Sequence, residues 1–181
     1  MKNSGQTLLE VMIALFVLTV GILGILSLLS QSIFLSKTVS NQTTATFLAS
    51  EGIELAKNLI DHNVYQGIAF TTNEWNTGIG GGGNFELDYT TCNNLPNPAT
   101  LCPTPPNYSG TFLSFDPAAN VYVYAYDDLS GGLVATPFQR LIRVTPNGGN
   151  EITVQSIVTW NVGQPSQTSL DVEDHFYNWL P

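Results

Sequence analysis

Gly5-Gln6-Thr7-Leu8-Leu9-Glu10, followed by VMIALFVLTVGILGILSLLSQSIFLS up to Ser36, is the stretch that decides the fold. After Glu10 no ionisable side chain occurs until Lys37. About 20 apolar residues suffice to cross a hydrocarbon core of roughly 30 Å, and lipid accepts only backbone whose N–H and C=O groups are satisfied internally. Residues 6–36 therefore read as a membrane-spanning helix. A cleaved secretory signal is the rival reading, since Ser30-Gln31-Ser32 supplies small residues near the end of the run. Its apolar region is usually about 7–15 residues long and follows a basic stretch. Here the run is longer, and Lys2 is offset by Glu10.

Downstream, no proline interrupts Gln6 to Ile60, so a continuous helix of about 80 Å is expected at 1.5 Å per residue. Residues 37–62 continue it in amphipathic form. Ala45, Leu48, Ala49, Gly52, Ile53, Leu55, Ala56, Leu59 and Ile60 recur at three- and four-residue steps, with Glu51, Glu54, Lys57 and Asp61 mostly outside that face. From residue 63 to 181 the period changes to two. Phe85, Leu87 and Tyr89 share a face, and Val121, Val123 and Ala125 oppose Tyr122, Tyr124 and Tyr126. Phe138, Arg140, Ile142 and Val144 form another set, as do Ile152, Val154, Ser156, Val158 and Trp160. Pro146-Asn147-Gly148-Gly149-Asn150 joins these last two as a hairpin, because Gly and Asn tolerate positive φ. A further strand is expected at 168–172, and the HFYNWLP ending is ambiguous. The expected class is α+β: a long N-terminal helix, membrane-spanning in its first half, packed on an antiparallel β-sheet. The zones are a leader at 1–5, the apolar helix at 6–36, its amphipathic continuation at 37–62 and a β-rich globular domain at 63–181.

Charged residues make up 10% of the chain, with a net charge of −9, and only Lys37, Lys57, Arg140 and Arg143 follow the leader as cations. This count argues against direct nucleic-acid binding by the subunit alone, which needs clustered Lys and Arg to replace counterions. Gly78-Ile-Gly80-Gly-Gly-Gly83 lacks the Gly-Lys-Ser/Thr ending of a phosphate loop and reads as a flexible surface loop. Asp127-Asp128 lacks the alternate-acid spacing of a calcium loop and reads as a solvated turn. His62 and His175 have no visible catalytic setting, and neither a Gly-x-Ser-x-Gly elbow nor a His-Glu-x-x-His pair occurs. The sequence supports no catalytic residue, metal site or cofactor. Tyr122, Tyr124, Tyr126, Trp160, Phe176, Tyr177 and Trp179 are read first as sheet packing and second as a contact surface.

The anomaly is Glu10, since a carboxylate in a membrane helix costs up to several kcal/mol and usually has a partner. A local reading makes Thr7-x-x-Glu10 a capping box at a helix start. A second reading requires cleavage after Gly5, which frees an α-amine at Gln6. Glu10 of one molecule then neutralises that amine on a staggered neighbour, a pairing that fixes register more than it adds stability.

GQTLLEVMIALFVLTVGILGIL resembles the N-terminal signature of type IV prepilins and pseudopilins. Glu10-Val-Met-Ile-Ala-Leu15, Gly21-Ile-Leu-Gly24 and Ala49-Ser-Glu51-Gly-Ile-Glu54 are most similar to the minor-pilin branch called type IV pilus modification protein (PilV-type). The Val158-Thr-Trp160 strand end and Asn178-Trp179 resemble it more weakly, and the specific similarity covers roughly residues 5–60. The resemblance implies a pilin-like fold, a cut by prepilin peptidase between Gly5 and Gln6, N-methylation of Gln6, and Glu10 as the acid for methylation or assembly. Gln6 departs from the Phe that most relatives carry, which bears on methylation more than on cleavage.

The function implied is a structural, non-enzymatic one: a minor pilin that primes or enters a type IV pilus. A minor pseudopilin of a type II secretion system, or a filament-tip adhesin, is the alternative. Its partners would be other pilins or pseudopilins through their N-terminal helices, prepilin peptidase, and the inner membrane before assembly. The chain would cross that membrane once, with its C-terminal domain outside the cytoplasm, and then join a periplasmic or extracellular filament. In such a compartment Cys92 and Cys102 are expected to form a disulfide; metal binding is the weaker option for two Cys without nearby partners.

Overall fold

The structure, a computed structural model, describes residues 4–65, 75–91, 104–124, 132–161 and 167–179. One helix, α1, spans Ser4–Tyr65, ending three residues past the boundary expected at 62. The chain divides into two compact units, Met1–Thr43 and Thr44–Pro181.

In the first unit every described side chain from Leu8 to Lys37 is exposed, Phe16 and Leu28 to 68%. The helix is long and apolar enough to cross a membrane. Such exposure separates it from the buried core helix of a globular domain, because so continuous an apolar surface needs lipid or protein to cover it. One of its hydroxyls is satisfied locally: Thr19 Oγ1 donates to the Phe16 carbonyl at 2.8 Å.

The second unit is α+β and pilin-like, with the last turns of α1 packed on an open antiparallel sheet. The strands are β1 (Gly83–Phe85), β2 (Phe112–Asp116), β3 (Val121–Tyr124), β4 (Val134–Pro146), β5 (Glu151–Trp160) and β6 (Thr168–Tyr177). Their order is β3-β2-β4-β5-β6, and β1 pairs with the far end of β4. The β4–β5 hairpin turns through Gly148 at φ 82°, as its sequence predicts. Between β2 and β3, Asp116 Oδ1 accepts from the Ala118 and Ala119 amides, and Asn120 takes φ 58°. The β2–β4 register slips between Phe112 and Ser114, opposite the part of β4 where Pro137 brings no N–H to the ladder.

The amphipathic face of α1 is buried as its spacing predicts. Ile53, Ala56, Leu59 and Ile60 join Phe85, Leu87, Ile142, Val144, Ile152 and Val154 in one cluster. Ala45, Leu48 and Ala49 join Leu113, Tyr124, Phe138, Val158 and Trp160 in a second. Between those two sets of helix residues stands Gly52, buried against Arg140 and Ser156 of the sheet. A Cβ at Gly52 would collide with Ser156 Oγ and come within 2.7 Å of Ile142 Cδ1 and 3.1 Å of Arg140 Cδ. The bare backbone therefore lets helix and sheet approach closely here.

Three expectations are corrected. The strand expected through Phe85, Leu87 and Tyr89 stops at Phe85, because Glu86 and Asp88 turn inward to accept hydrogen bonds. The glycine run 78–83 is not a free surface loop. Ile79 within it is fully buried with Trp75, and Asn63 near the end of α1 donates to the Thr77 carbonyl at 3.0 Å and the Trp75 carbonyl at 3.4 Å. The final strand runs on to Tyr177, well beyond 172.

Candidate functional site

The N-terminal segment places Gly5, Gln6 and Glu10 on one helix. Because α1 begins at Ser4, Thr7 is not at its start, and no acid lies in the first turn. This corrects the capping-box reading. Glu10 stands exposed, and among the described residues no cation lies within ion-pair distance of it. Among the described residues the acid thus has no counter-charge on its apolar stretch of helix.

In the second unit the sequence signals missed a polar hub. Arg140, fully buried, donates from Nη1 to the Leu48 carbonyl at 3.1 Å and to Glu51 Oε2 at 3.0 Å. Its Nη2 donates to the Leu87 carbonyl at 2.7 Å. One guanidinium thereby joins α1, β4 and the segment after β1, using its planar fork of donors. Tyr124 donates to the Arg140 carbonyl at 2.8 Å. Burial pushes the Tyr124 phenol up to about 12, against the lowering influence of Arg140 and with Glu86 and Asp88 adding to the rise. The readable signal was a cation at an inward position of an alternating strand.

Glu86 and Asp88 are tied down as well. Glu86 Oε1 accepts from the Ser109 amide and hydroxyl and from the Thr111 amide, at 2.9, 3.0 and 3.1 Å. Asp88 Oδ1 accepts from the Thr90 amide and hydroxyl, and its Oδ2 from the Tyr124 amide. Their part is to organise the loops beside the sheet. A cleft of about 290 Å³ opens between Leu55, Asn58 and His62 of α1 and Leu87, Asp88, Tyr89 and Thr91. Cys92, Cys102 and Asp127-Asp128 lie outside the described residues.

On the outer face of the sheet His175 sits between two carboxylates. Its Nδ1 is 2.7 Å from Glu151 Oε1 and its Nε2 is 3.4 Å from Glu173 Oε1. The hydrogen bond and charge of Glu151, then of Glu173, hold the imidazole above its ordinary value of 6.5, and the His175 bond holds Glu151 below 4.5. The imidazolium contribution is complete below pH 6.5 and disappears as pH rises through the raised value in the folded chain. The Glu151 contribution is complete above pH 4.5 and disappears as pH falls through its depressed value. The clamp is therefore strongest between those limits. An NMR titration of the His175 ring should give a value above 6.5, and Glu151→Gln should bring it down; an unchanged titration in that variant would contradict the pairing.

Residues 1–26 match the family model described as the prokaryotic N-terminal methylation motif. With the apolar helix, this match supports a prepilin-like protein, one of the type IV pilin and pseudopilin class. It points to a structural subunit that prepilin peptidase processes and that assembles with other pilins, and it fits an inner-membrane anchor. No curated protein and no solved structure matches the chain.

Proposed function

We propose that this chain is a minor pilin-like subunit of the type IV pilus modification (PilV-type) branch. Prepilin peptidase cuts between Gly5 and Gln6, Gln6 becomes the methylated terminus, and the mature protein leaves the inner membrane for a filament. The disulfide between Cys92 and Cys102 belongs to the same extracytoplasmic reading. The observation that carries the proposal is Glu10, the only ionisable side chain from Thr7 to Ser36, exposed on an apolar helix. Buried in a filament, that carboxylate requires a cation, and the α-amine created at Gln6 of a neighbour supplies one.

Mass spectrometry of the native N-terminus tests this. The expected protein begins at Gln6 and carries one added methyl group. A chain retaining Met1 in cells with active prepilin peptidase overturns the proposal. In the same cells Glu10→Ala should reach the membrane normally yet fall at least about tenfold in purified filaments, because an unpaired buried amine costs several kcal/mol. Normal filament content of that variant would remove the pairing.

A further inference from the structure

We infer that the open edge of β6 receives an amphipathic, cationic strand from a different protein, extending the sheet by one strand. This rests on the sheet alone and does not depend on filament assembly. β6 is the last strand in the order and pairs with β5 residue by residue from Glu151↔Tyr177 to Trp160↔Thr168 without a register break. Among the described residues no strand pairs with its other side, although there the His175 amide donates to Asp174 Oδ1. Proteins usually blunt such edges by shortening, bulging, inserting proline or placing charges on them; β6 uses only the last, through Asp171, Glu173 and the inward Asp174. β6 is ten residues long and regular, and its sequence TSLDVEDHFY holds neither proline nor glycine.

Its two faces describe the occupant. Leu170, Val172 and Phe176 point inward and stay half-buried, packed on the core clusters with one side uncovered. Asp171 and Glu173 stand exposed on the opposite face, whereas Asp174, opposite Val154 in the register, is exposed on the inward face between Val172 and Phe176. An added strand with apolar residues opposite Leu170, Val172 and Phe176 would finish their cover, and a cation beside Asp174 would pair with it. Lys or Arg at the intervening positions would meet Asp171 and Glu173 as cross-strand pairs.

A second copy is the wrong occupant. From residue 151 to 181 the chain carries Glu151, Asp171, Glu173 and Asp174 and no Lys or Arg, and His175 is already engaged by Glu151 and Glu173. Pairing β6 with β6 would set acids against acids, which is destabilising. The opposite end of the sheet, β3, reads VYVY and offers no cation. The acids thus guard the edge against self-pairing while leaving it complementary to a basic strand.

The test uses the full chain in nonionic detergent micelles and fluorescent peptides of about ten residues, a length matched to a strand. A peptide alternating Lys and Val should bind, and one alternating Glu and Val should not. Methylating every second backbone nitrogen of the Lys–Val peptide keeps its charge but removes the donors for the sheet, and should weaken binding about tenfold or more. Asp171→Lys combined with Glu173→Lys should weaken the unmethylated peptide by a similar factor. No binding of the Lys–Val peptide beyond protein-free micelles overturns the inference, as does equal binding of the methylated peptide. Cross-linking of β6 to β6 of a second copy would also overturn it. The methylated-peptide comparison needs only the native chain, so it decides the matter even if the double variant misfolds.

Discussion

Arg140→Ala is expected to lower the unfolding free energy of the second unit by about 3 kcal/mol, the range found when one member of a buried ion pair is removed. The side chain is fully buried and ties three separate parts of the unit through the Leu48 and Leu87 carbonyls and Glu51. Truncation leaves the Leu87 carbonyl without this donor, leaves Glu51 without its counter-charge, and opens space between Tyr124 and α1. Glu51 is one-third exposed and so recovers part of its solvation. Arg140→Met should cost less than Arg140→Ala, since it refills the space and loses only the polar contacts. Urea unfolding of the full chain in detergent, followed by tryptophan fluorescence, measures both. A midpoint for Arg140→Ala equal to that of the unaltered chain would show that the hub does not hold the unit together.

Gly52→Ala tests the opposite kind of constraint, too much matter where Arg140→Ala leaves too little. In an exposed helix interior this change is worth about 1 kcal/mol of stabilisation, because Ala is the better helix former. Here the new methyl meets Ser156 Oγ, Ile142 Cδ1 and Arg140 Cδ at once, on two adjacent strands. Ile142 and Arg140 are themselves fully buried, with little room to retreat. Overpacking of this kind typically costs about 1–3 kcal/mol, which against that gain leaves a net destabilisation of up to about 2 kcal/mol. Gly52→Val should prevent the unit from forming a cooperative fold at all. A more stable Gly52→Ala protein would mean that helix and sheet are not in close approach there.

Much of this architecture is legible because it depends on local periodicity. The helix face from Ala45 to Ile60 and the facing sets on β4 and β5 announce themselves through steps of three, four and two. The methylation motif is legible for a related reason, since a Gly, an uncharged run and a single acid at fixed spacing are chemistry written in one short segment. What escaped depends on partners far away in the chain. β2, Phe112-Leu-Ser-Phe-Asp, buries adjacent residues Leu113 and Ser114 and so shows no clean alternation. Trp75 and Ile79 look like part of a glycine-rich loop until Asn63 pins their backbone. Arg140 reads as one more alternating residue, and only the fold brings Leu48, Glu51 and Leu87 to its guanidinium.

The grip of Arg140 on the Leu48 carbonyl also governs how tension is carried. A pull along the last turns of α1 reaches β4 through that guanidinium, near the middle of a strand flanked by β2 and β5. The load then enters the sheet at a strand hydrogen-bonded to neighbours on both sides, rather than at a loop or an edge. Anchoring the helix to an interior strand makes this unit suited to bearing force.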